Sequence, residues 1–293
     1  MNPPWLKVRR GDTPLIVSIP HTGIDIPSDI EKRLVSLWLA RKDADWWVDR
    51  LYAFAADLGA TTIRTAISRT VIDVNRDPSG ASLYPGAATT GLCPDTTFDG
   101  EPLYADEAPD KAEIDRRRNA WFDPYHAALA AEIARLRADH GAVVLYEAHS
   151  IRSRIPRLFA GELANLNIGT HDGAACDPAL ARGVEAACDA PPFTRVTNGR
   201  FRGGWTTRAY GNPAAGVHAI QMELACRGYM DEPDIPTPDN WPPPFDEGRA
   251  AAMIGVLEGV LRACLDFANN LSPLHGEGGA KRRVGLSRSP SMP

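Results

Sequence analysis

The stretch Ala142-Val-Val-Leu-Tyr-Glu147-Ala-His149-Ser150 is the part of the sequence that decides the fold. Its first six residues are mostly apolar, which predicts a short strand buried on both faces. Two other apolar runs have the same character, PLIVSIP at 14–20 and VHAIQMEL at 217–224. Helical patterns separate these runs. Strands that alternate with helices predict an α/β protein, with a mostly parallel mixed sheet flanked by helices.

The remaining elements follow from the periodicity of apolar residues. Spacings of three and four predict helices over 30–39, 45–58, 111–140 and 250–269. Pro124 lies inside the third pattern and predicts a kink or restart near Asp123. Further strands are predicted at 61–67 and 70–74, followed by a long loop over 78–110. We expect one domain over residues 1–270 and a disordered tail over 271–293, which is rich in Gly, Ser, Pro and Arg.

Composition excludes several functional classes. The chain of 293 residues is 44% hydrophobic and 24% charged, with a net charge of −5. These values argue against a disordered chain and against a dedicated nucleic-acid binder. No apolar run of membrane-spanning length and no secretory signal pattern is present, so we expect no membrane partner. Five widely spaced cysteines indicate reduced thiols and a cytoplasmic location, and a homo-oligomer remains open.

Residues that bind metals or move protons lie at the ends of three predicted strands. They are His21 in PHTG, His149 after the central strand, and Glu223 in the third run. In open parallel sheets, ligands bind beyond the carboxyl ends of the strands, so these groups can meet in one crevice. Two histidines and a carboxylate suit a catalytic zinc site, although a histidine after a buried strand is more often structural. A carboxylate in an apolar strand needs a partner or a chemical role.

Two arginine-rich segments suggest an acidic ligand. In SRTVIDVNRDP at 68–78, Arg69 and Arg76 bracket an apolar run. The planar guanidinium group binds carboxylates through two hydrogen bonds, although ion pairs with the aspartates of the same segment are an equal alternative. The Gly-rich segment 198–211, NGRFRGGWTTRAYG, carries three more arginines and can wrap an anion. It matches neither nucleotide-binding glycine motif, so nucleotide binding is not expected.

Taken together, these blocks resemble the N-formylglutamate amidohydrolase (formylglutamate deformylase) family of histidine catabolism. The resemblance extends in sequence order over about 14–262. It is carried by PHTG 20–23, DADWWVDRLY 43–52, SRTVIDVNRDP 68–78, YPGAATTGLCPDTTFDGEPLY 84–104, EAHSIRSRIPRLF 147–159, LNIGT 166–170, NGRFRGGWTTRAYG 198–211 and HAIQMELACRGYMDE 218–232. It implies a fold like that of zinc-dependent exopeptidases and aspartoacylases.

The resemblance also implies hydrolysis of N-formyl-L-glutamate to formate and L-glutamate, with Zn²⁺ held by His21 and His149. The family's exopeptidase relatives carry an acidic ligand three residues after the first histidine, where this chain has Ile24. We therefore expect Asp45 as the third ligand, with Asp25 and Asp49 as alternatives.

The same resemblance assigns the other site residues. It implies that Glu223 is the general base and that Arg69 stabilises the oxyanion. Asn75 and Arg76 then bind one substrate carboxylate, and Arg208 or an arginine of the 152–157 cluster, Arg152 first, binds the other.

Three alternatives remain open at this stage. Two histidines and a carboxylate also suit Mn²⁺, Fe²⁺ or Co²⁺. The same residues would serve a zinc amidohydrolase or deacylase for another N-acyl acidic amino acid. A dicarboxylate-binding protein without chemistry is a third reading, but it would gain nothing from a buried carboxylate that faces its ligand.

Overall fold

The computed structural model describes residues 2–82, 86 and 89–271. Within that part of the chain, seven strands form one sheet in the order β1-β3-β2-β4-β7-β5-β6. The strands are β1 Leu6–Arg9, β2 Leu15–Ile19, β3 Thr61–Thr65, β4 Val143–Ile151, β5 Leu166–Gly169, β6 Arg195–Thr197 and β7 Val217–Ala225. The four central strands run parallel, whereas β1 and β5 pair antiparallel with their inner neighbours. The sheet is therefore mixed and mostly parallel, as predicted.

Helices cover both faces of the sheet. They are α1 Ser28–Glu31, α2 Leu37–Lys42, α3 Val48–Leu51, α4 Lys111–Arg117, α5 Asp123–Asp139, α6 Pro178–Cys188, α7 Trp205–Tyr210 and α8 Glu247–Leu271. On one face, α5 packs Leu129 and Leu136 against Leu145 of β4. On the other, α6 and α8 pack against residues such as Val144 and Ile220. No helix of the described residues is both long enough and apolar enough to cross a membrane.

Side-chain alternation along the two central strands places the polar residues. Val143 and Leu145 of β4, and Ala219 of β7, belong to the cluster under α5. Because side chains alternate along a strand, His149 and Glu223 point to that same face. The two residues are also directly paired in the β4–β7 register. The predicted strand 142–147 continues through Ile151, so His149 lies within the strand and not beyond its end.

Several predicted elements are wrong in their extent. The helix predicted over 30–39 is replaced by two short helices, α1 and α2. The helix predicted over 45–58 is reduced to α3 and a 3₁₀ turn over Ala53–Ala56. Trp47 has a left-handed backbone with φ of 67°, which interrupts the helical path before α3. This break lets the amide of Asp45 donate to the carbonyl of His21, 3.0 Å away.

The strand predicted over 70–74 is also wrong, because this segment turns back on itself. The amides of Val71 and Ile72 both bond to the carbonyl of Ser68. Pro124 does mark a change in the long helix: a π-helical turn over Arg118–Phe122 joins α4 to α5, and the proline lies in the first turn of α5. Strands β1, β5 and β6 and helices α6 and α7 were not predicted. The tail predicted as disordered falls, apart from Leu271, outside the described residues.

Candidate metal and catalytic site

Three buried side chains form a group that can hold a metal ion. One ligand atom from each of His21, Asp45 and His149 lies within 4.8 Å of the others. The carboxylate of Asp45 stands between the two rings, with Oδ2 3.6 Å from Nδ1 of His21 and 3.2 Å from Nδ1 of His149. The ring centroids of the two histidines are 4.9 Å apart. Two imidazoles and one carboxylate are a common ligand set of catalytic zinc.

The hydrogen bonds of the His21 ring are consistent with a metal-binding role. Nε2 of His21 lies 2.7 Å from Oδ1 of Asp73, whereas its Nδ1 is buried and has no hydrogen-bond partner among the described residues. An outer carboxylate that fixes the ring of a metal-bound histidine is typical of such sites. Leaving a buried ring nitrogen unpaired is costly, and a bound cation at that position would satisfy it. The observed residues therefore fit a divalent metal.

Among the three aspartates considered from the sequence, only Asp45 belongs to this group. It is held there by the amide of Ser150, which donates to Asp45 Oδ2 over 3.1 Å. Asp25 is exposed, and its backbone forms an isolated bridge with Ile67. Asp49 pairs with Arg64 on a different part of the sheet. Neither alternative lies in the metal-ligand group of the described residues.

The group is strongly coupled electrostatically. Burial raises the pKa of Asp45, but the nearby imidazoles of His21 and His149 outweigh it and hold this pKa well below its ordinary value. Burial likewise raises the pKa of Asp73, while Arg76, His21 and Arg69 together lower it far more. Both aspartates are therefore anionic at neutral pH, as ligands and ligand partners must be.

Glu223 faces the same space from β7. Its carboxylate is 8% exposed and accepts a hydrogen bond from Nε2 of Gln221, 3.2 Å away. Burial, together with the charge of Asp45, raises the pKa of Glu223 to about 7, against opposing effects of His149 and two arginines. A carboxylate with such a pKa can both take and return a proton near neutral pH.

A cavity of about 160 Å³ opens onto these groups. His21, His149 and Glu223 line it together with polar side chains of the 68–78 segment, namely Arg69, Asn75 and Arg76. Residues of the predicted 78–110 loop, including Thr90 and Leu92, also contribute to its wall. The cavity lies at the carboxyl ends of the parallel strands, as the sequence predicted.

Arg69 is fixed as a buried cation at this wall. Its Nη2 donates to Asp73 over 2.7 Å, and its Nη1 donates to Asp45 over 3.3 Å. The guanidinium carbon also lies 4.8 Å from the centre of the Phe98 ring, at cation–π distance. The aspartates that hold Arg69 are those that hold the two histidines, so the cation and the metal-ligand group form one rigid unit.

Asn75 and Arg76 are held by separate partners. The backbone amide of Thr206 donates a hydrogen bond to Oδ1 of Asn75, and Nδ2 of Asn75 lies 3.0 Å from Nε2 of His149. The backbone of Gly204 comes so close that a Cβ there would lie 2.4 Å from Asn75 Nδ2, which explains a glycine at this position. Arg76 donates to the carbonyl and the hydroxyl of Thr90 and remains half-buried.

Two predicted substrate-binding arginines do not lie in this cavity. Arg152 donates to Asp43 and Asp99 at 3.3 and 2.7 Å, and is a member of a buried ion-pair cluster. Arg208 donates from Nε to the carbonyl of Gly203 and is not among the cavity-lining residues. Arg200, of the same Gly-rich segment, does line the cavity. The sequence marked this segment as arginine-rich but held no signal for which arginine points inward.

Glu147 of the central strand receives no role from the sequence. It is fully buried, and neither carboxylate oxygen has a hydrogen-bond partner in the described structure. Its Oε2 lies 3.5 Å from Nε2 of His149, on the ring edge away from Asp45. Burial lowers the pKa of His149, but its contacts with Asp45 and Glu147 and the charge of Glu223 raise that pKa to about 10. Glu147 thus lies near the outer edge of the His149 ring, as Asp73 lies near that of His21, but at 3.5 Å it forms no hydrogen bond, whereas Asn75 Nδ2 is 3.0 Å from the same ring nitrogen.

The chain is similar to known proteins of one family. Residues 13–230 match the family model described as N-formylglutamate amidohydrolase. N-formylglutamate deformylase of Pseudomonas aeruginosa is 48% identical over 229 residues, covering 78% of this chain and 86% of that protein. The protein of the same name from Pseudomonas putida is 42% identical over 262 residues, covering 89% and 95%.

Solved structures support the fold assignment. A crystal structure of N-formylglutamate amidohydrolase from Ralstonia eutropha superimposes with a TM-score of 0.74 at 26% identity, covering 90% of this chain and 98% of that one. A gene product of Agrobacterium tumefaciens, 21% identical with a TM-score of 0.67, has the same fold over 89% of this chain and 95% of its own. The predicted α/β fold of the zinc-exopeptidase and aspartoacylase type is confirmed. The chain belongs to the N-formylglutamate amidohydrolase family.

Proposed function

We propose that this protein hydrolyses N-formyl-L-glutamate to formate and L-glutamate with the help of a bound divalent metal, zinc in the first place. The observation that carries the proposal is the meeting of His21, Asp45 and His149 with Glu223 and the arginines of the 68–78 segment around one cavity. Two relatives named N-formylglutamate deformylase, at 48% and 42% identity, support the substrate. A cytoplasmic role in histidine degradation is part of the same proposal.

The surroundings of each side chain indicate its role in the proposed reaction. His21, Asp45 and His149 would hold the cation, which when bound lowers the pKa of water and polarises a carbonyl oxygen. Asp73 orients the ring of His21 so that Nδ1 faces the other two ligands. Arg69, fixed by Asp45 and Asp73, presents its positive charge where the formyl oxygen becomes negative.

Glu223 transfers a proton from the attacking water to the leaving amine. It takes one proton from the attacking water as the new C–O bond forms at the formyl carbon. It then gives that proton to the amide nitrogen as the C–N bond breaks, so that formate and the free amine leave. The pKa of about 7 that burial gives this carboxyl suits both transfers.

Asn75 and Arg76 bind the carboxylate that every N-formyl amino acid carries. Arg76 is half-buried at the cavity wall and held by Thr90, and Asn75 is held by the start of α7. A planar guanidinium group that is fixed before the ligand arrives loses little conformational entropy on binding a carboxylate. This pair therefore positions the substrate with its formyl group toward Glu223.

The test is the release of formate from N-formyl-L-glutamate by the purified protein, with N-acetyl-L-glutamate as a comparison for the acyl group. We expect turnover with the formyl substrate that a chelator abolishes and added zinc restores. Glu223→Gln should retain the metal but lose at least about 100-fold in kcat, because general base catalysis typically contributes that much.

Glu247→Gln, on an exposed side chain at the start of α8, is the matched control and should behave as the unmodified protein. Near-normal turnover in Glu223→Gln would remove Glu223 from its assigned role. Faster turnover of the acetyl than of the formyl substrate would instead favour a deacylase of another N-acyl acidic amino acid. Tight binding of dicarboxylates without any turnover would favour a binding protein.

A further inference from the structure

The cavity contains an arginine that the proposed chemistry does not use. Arg200 lines it, and its Nε donates to the carbonyl of Leu158 over 2.9 Å. Its guanidinium carbon lies 5.4 Å from the centre of the Phe201 ring. Leu158 and Phe201 line the cavity too, together with Phe98 and Ile151, and these four side chains belong to one hydrophobic cluster. Arg200 therefore stands at an apolar part of the wall.

The other two arginines of the cavity have different surroundings. Arg69 is bound to the aspartates of the metal-ligand group, which balance its charge. Arg76 lies 3.7 Å from Asp73 as well, and it is held by Thr90 and by the carbonyl of Asn75, on the 68–90 part of the chain. Arg200 is held by the segment around Leu158. Arg76 and Arg200 thus line the same cavity but are held by different segments of the chain.

We propose that Arg200 binds the side-chain carboxylate of the substrate and so selects an acidic N-formyl amino acid. This inference rests on the proposed function, in which Arg76 binds the main-chain carboxylate. The apolar wall formed by Phe98, Ile151 and Leu158 then contacts the methylene groups between the two carboxylates. Apolar surroundings strengthen a charge-assisted hydrogen bond, whereas a neutral side chain at that position would form only a weaker hydrogen bond with the guanidinium group.

The neighbouring arginines are less suited to this role. Arg202, two residues away in the same segment, is 53% exposed and pairs with Asp172. Arg208 binds the carbonyl of Gly203, and Arg152 belongs to the ion pairs with Asp43 and Asp99; none of the three lines the cavity.

The experiment compares N-formyl-L-glutamate with N-formyl-L-glutamine, which has nearly the same shape but a neutral side chain. We expect the unmodified protein to prefer the glutamate compound in kcat/KM. Arg200→Gln should lower kcat/KM for that compound by about 10- to 100-fold, the usual effect of losing a hydrogen bond to a charged group. Its activity on N-formyl-L-glutamine should fall much less, because an amide forms only a neutral hydrogen bond with Arg200, and this remaining activity also shows that the variant is folded. Arg200→Lys should keep part of the preference, and Arg202→Gln should keep all of it.

Two outcomes would overturn the assignment: an equal loss on both substrates in Arg200→Gln, or no loss on either. The proposed function is tested separately, because its failure would appear as no formate release from either compound by the unmodified protein. In that case, calorimetric titration with L-glutamate and L-glutamine still tests the subsite. Tighter binding of L-glutamate that disappears in Arg200→Gln would support the role of Arg200, and equal binding of the two amino acids would refute it.

Discussion

Replacing Glu147 by glutamine exchanges the carboxyl group next to the metal-ligand group for an amide and leaves the side-chain volume almost unchanged. Glu147 is fully buried, and its Oε2 lies 3.5 Å from Nε2 of His149. Within the described residues, neither of its oxygens accepts a hydrogen bond. A buried carboxylate without such partners is costly, and a cation held by His149 would stabilise it across the imidazole ring. We therefore expect Glu147→Gln to weaken metal binding.

The distance between Glu147 and His149 sets an upper limit on the expected loss of metal affinity. Two unit charges 3.5 Å apart interact by roughly 5 kcal/mol at an effective dielectric constant of about 20, which is an upper limit for this pair. The charge of a cation reaches Glu147 only through the imidazole ring, so the effect on binding is smaller. Loss of an outer carboxylate behind a metal-bound histidine typically weakens binding by about 10- to 100-fold. We expect the Kd for zinc to rise by that factor.

The assay is competition for Zn²⁺ between the protein and a chelating dye, repeated with Co²⁺ to follow the ligand geometry through its absorption spectrum. Glu132→Gln is the matched control, because Glu132 of α5 is also buried but pairs with two arginines, Arg10 and Arg135. An unchanged Kd in Glu147→Gln, or the same rise in both variants, would refute the reasoning.

Two further predictions concern stability. Burial lowers the pKa of His126 from 6.5 to about 4, although the hydrogen bond to the carbonyl of Val74 acts in the opposite direction and raises it. Protonation of this histidine therefore favours the unfolded chain. The contribution of His126 to the free energy of unfolding is therefore full above about pH 6.5 and falls by up to about 3 kcal/mol towards pH 4. Urea denaturation at several pH values should show a flatter pH dependence of this free energy in His126→Gln than in the unmodified protein. Equal slopes in the two proteins would contradict the prediction. Arg152→Gln leaves Asp43 without its buried partner and should cost about 3 kcal/mol of unfolding free energy, while the preference for N-formyl-L-glutamate over N-formyl-L-glutamine persists. A lost preference in a stable variant would return Arg152 to the substrate site.

The central strands were predictable because their signal is local. Runs such as 14–20 and 217–224 are apolar at nearly every position, since parallel strands covered by helices are buried on both faces. The helix predicted around Asp45 is wrong for the opposite reason. Its apolar pattern suits a helix, but the left-handed residue Trp47 and the bond from Asp45 to His21 are tertiary features that override local propensity.

The sequence by itself determined the fold class, the two histidines and Glu223, because strand ends and polar residues in apolar strands are visible in one dimension. Only the tertiary structure decided that Asp45, and not Asp25 or Asp49, joins the histidines, and that Arg200 lines the cavity while Arg152 and Arg208 do not. Arginine side chains are long, and their direction depends on which carboxylate or carbonyl lies within reach. Those partners come from distant parts of the chain, as when Asp43 and Asp99 hold Arg152, so periodicity carries no information about them.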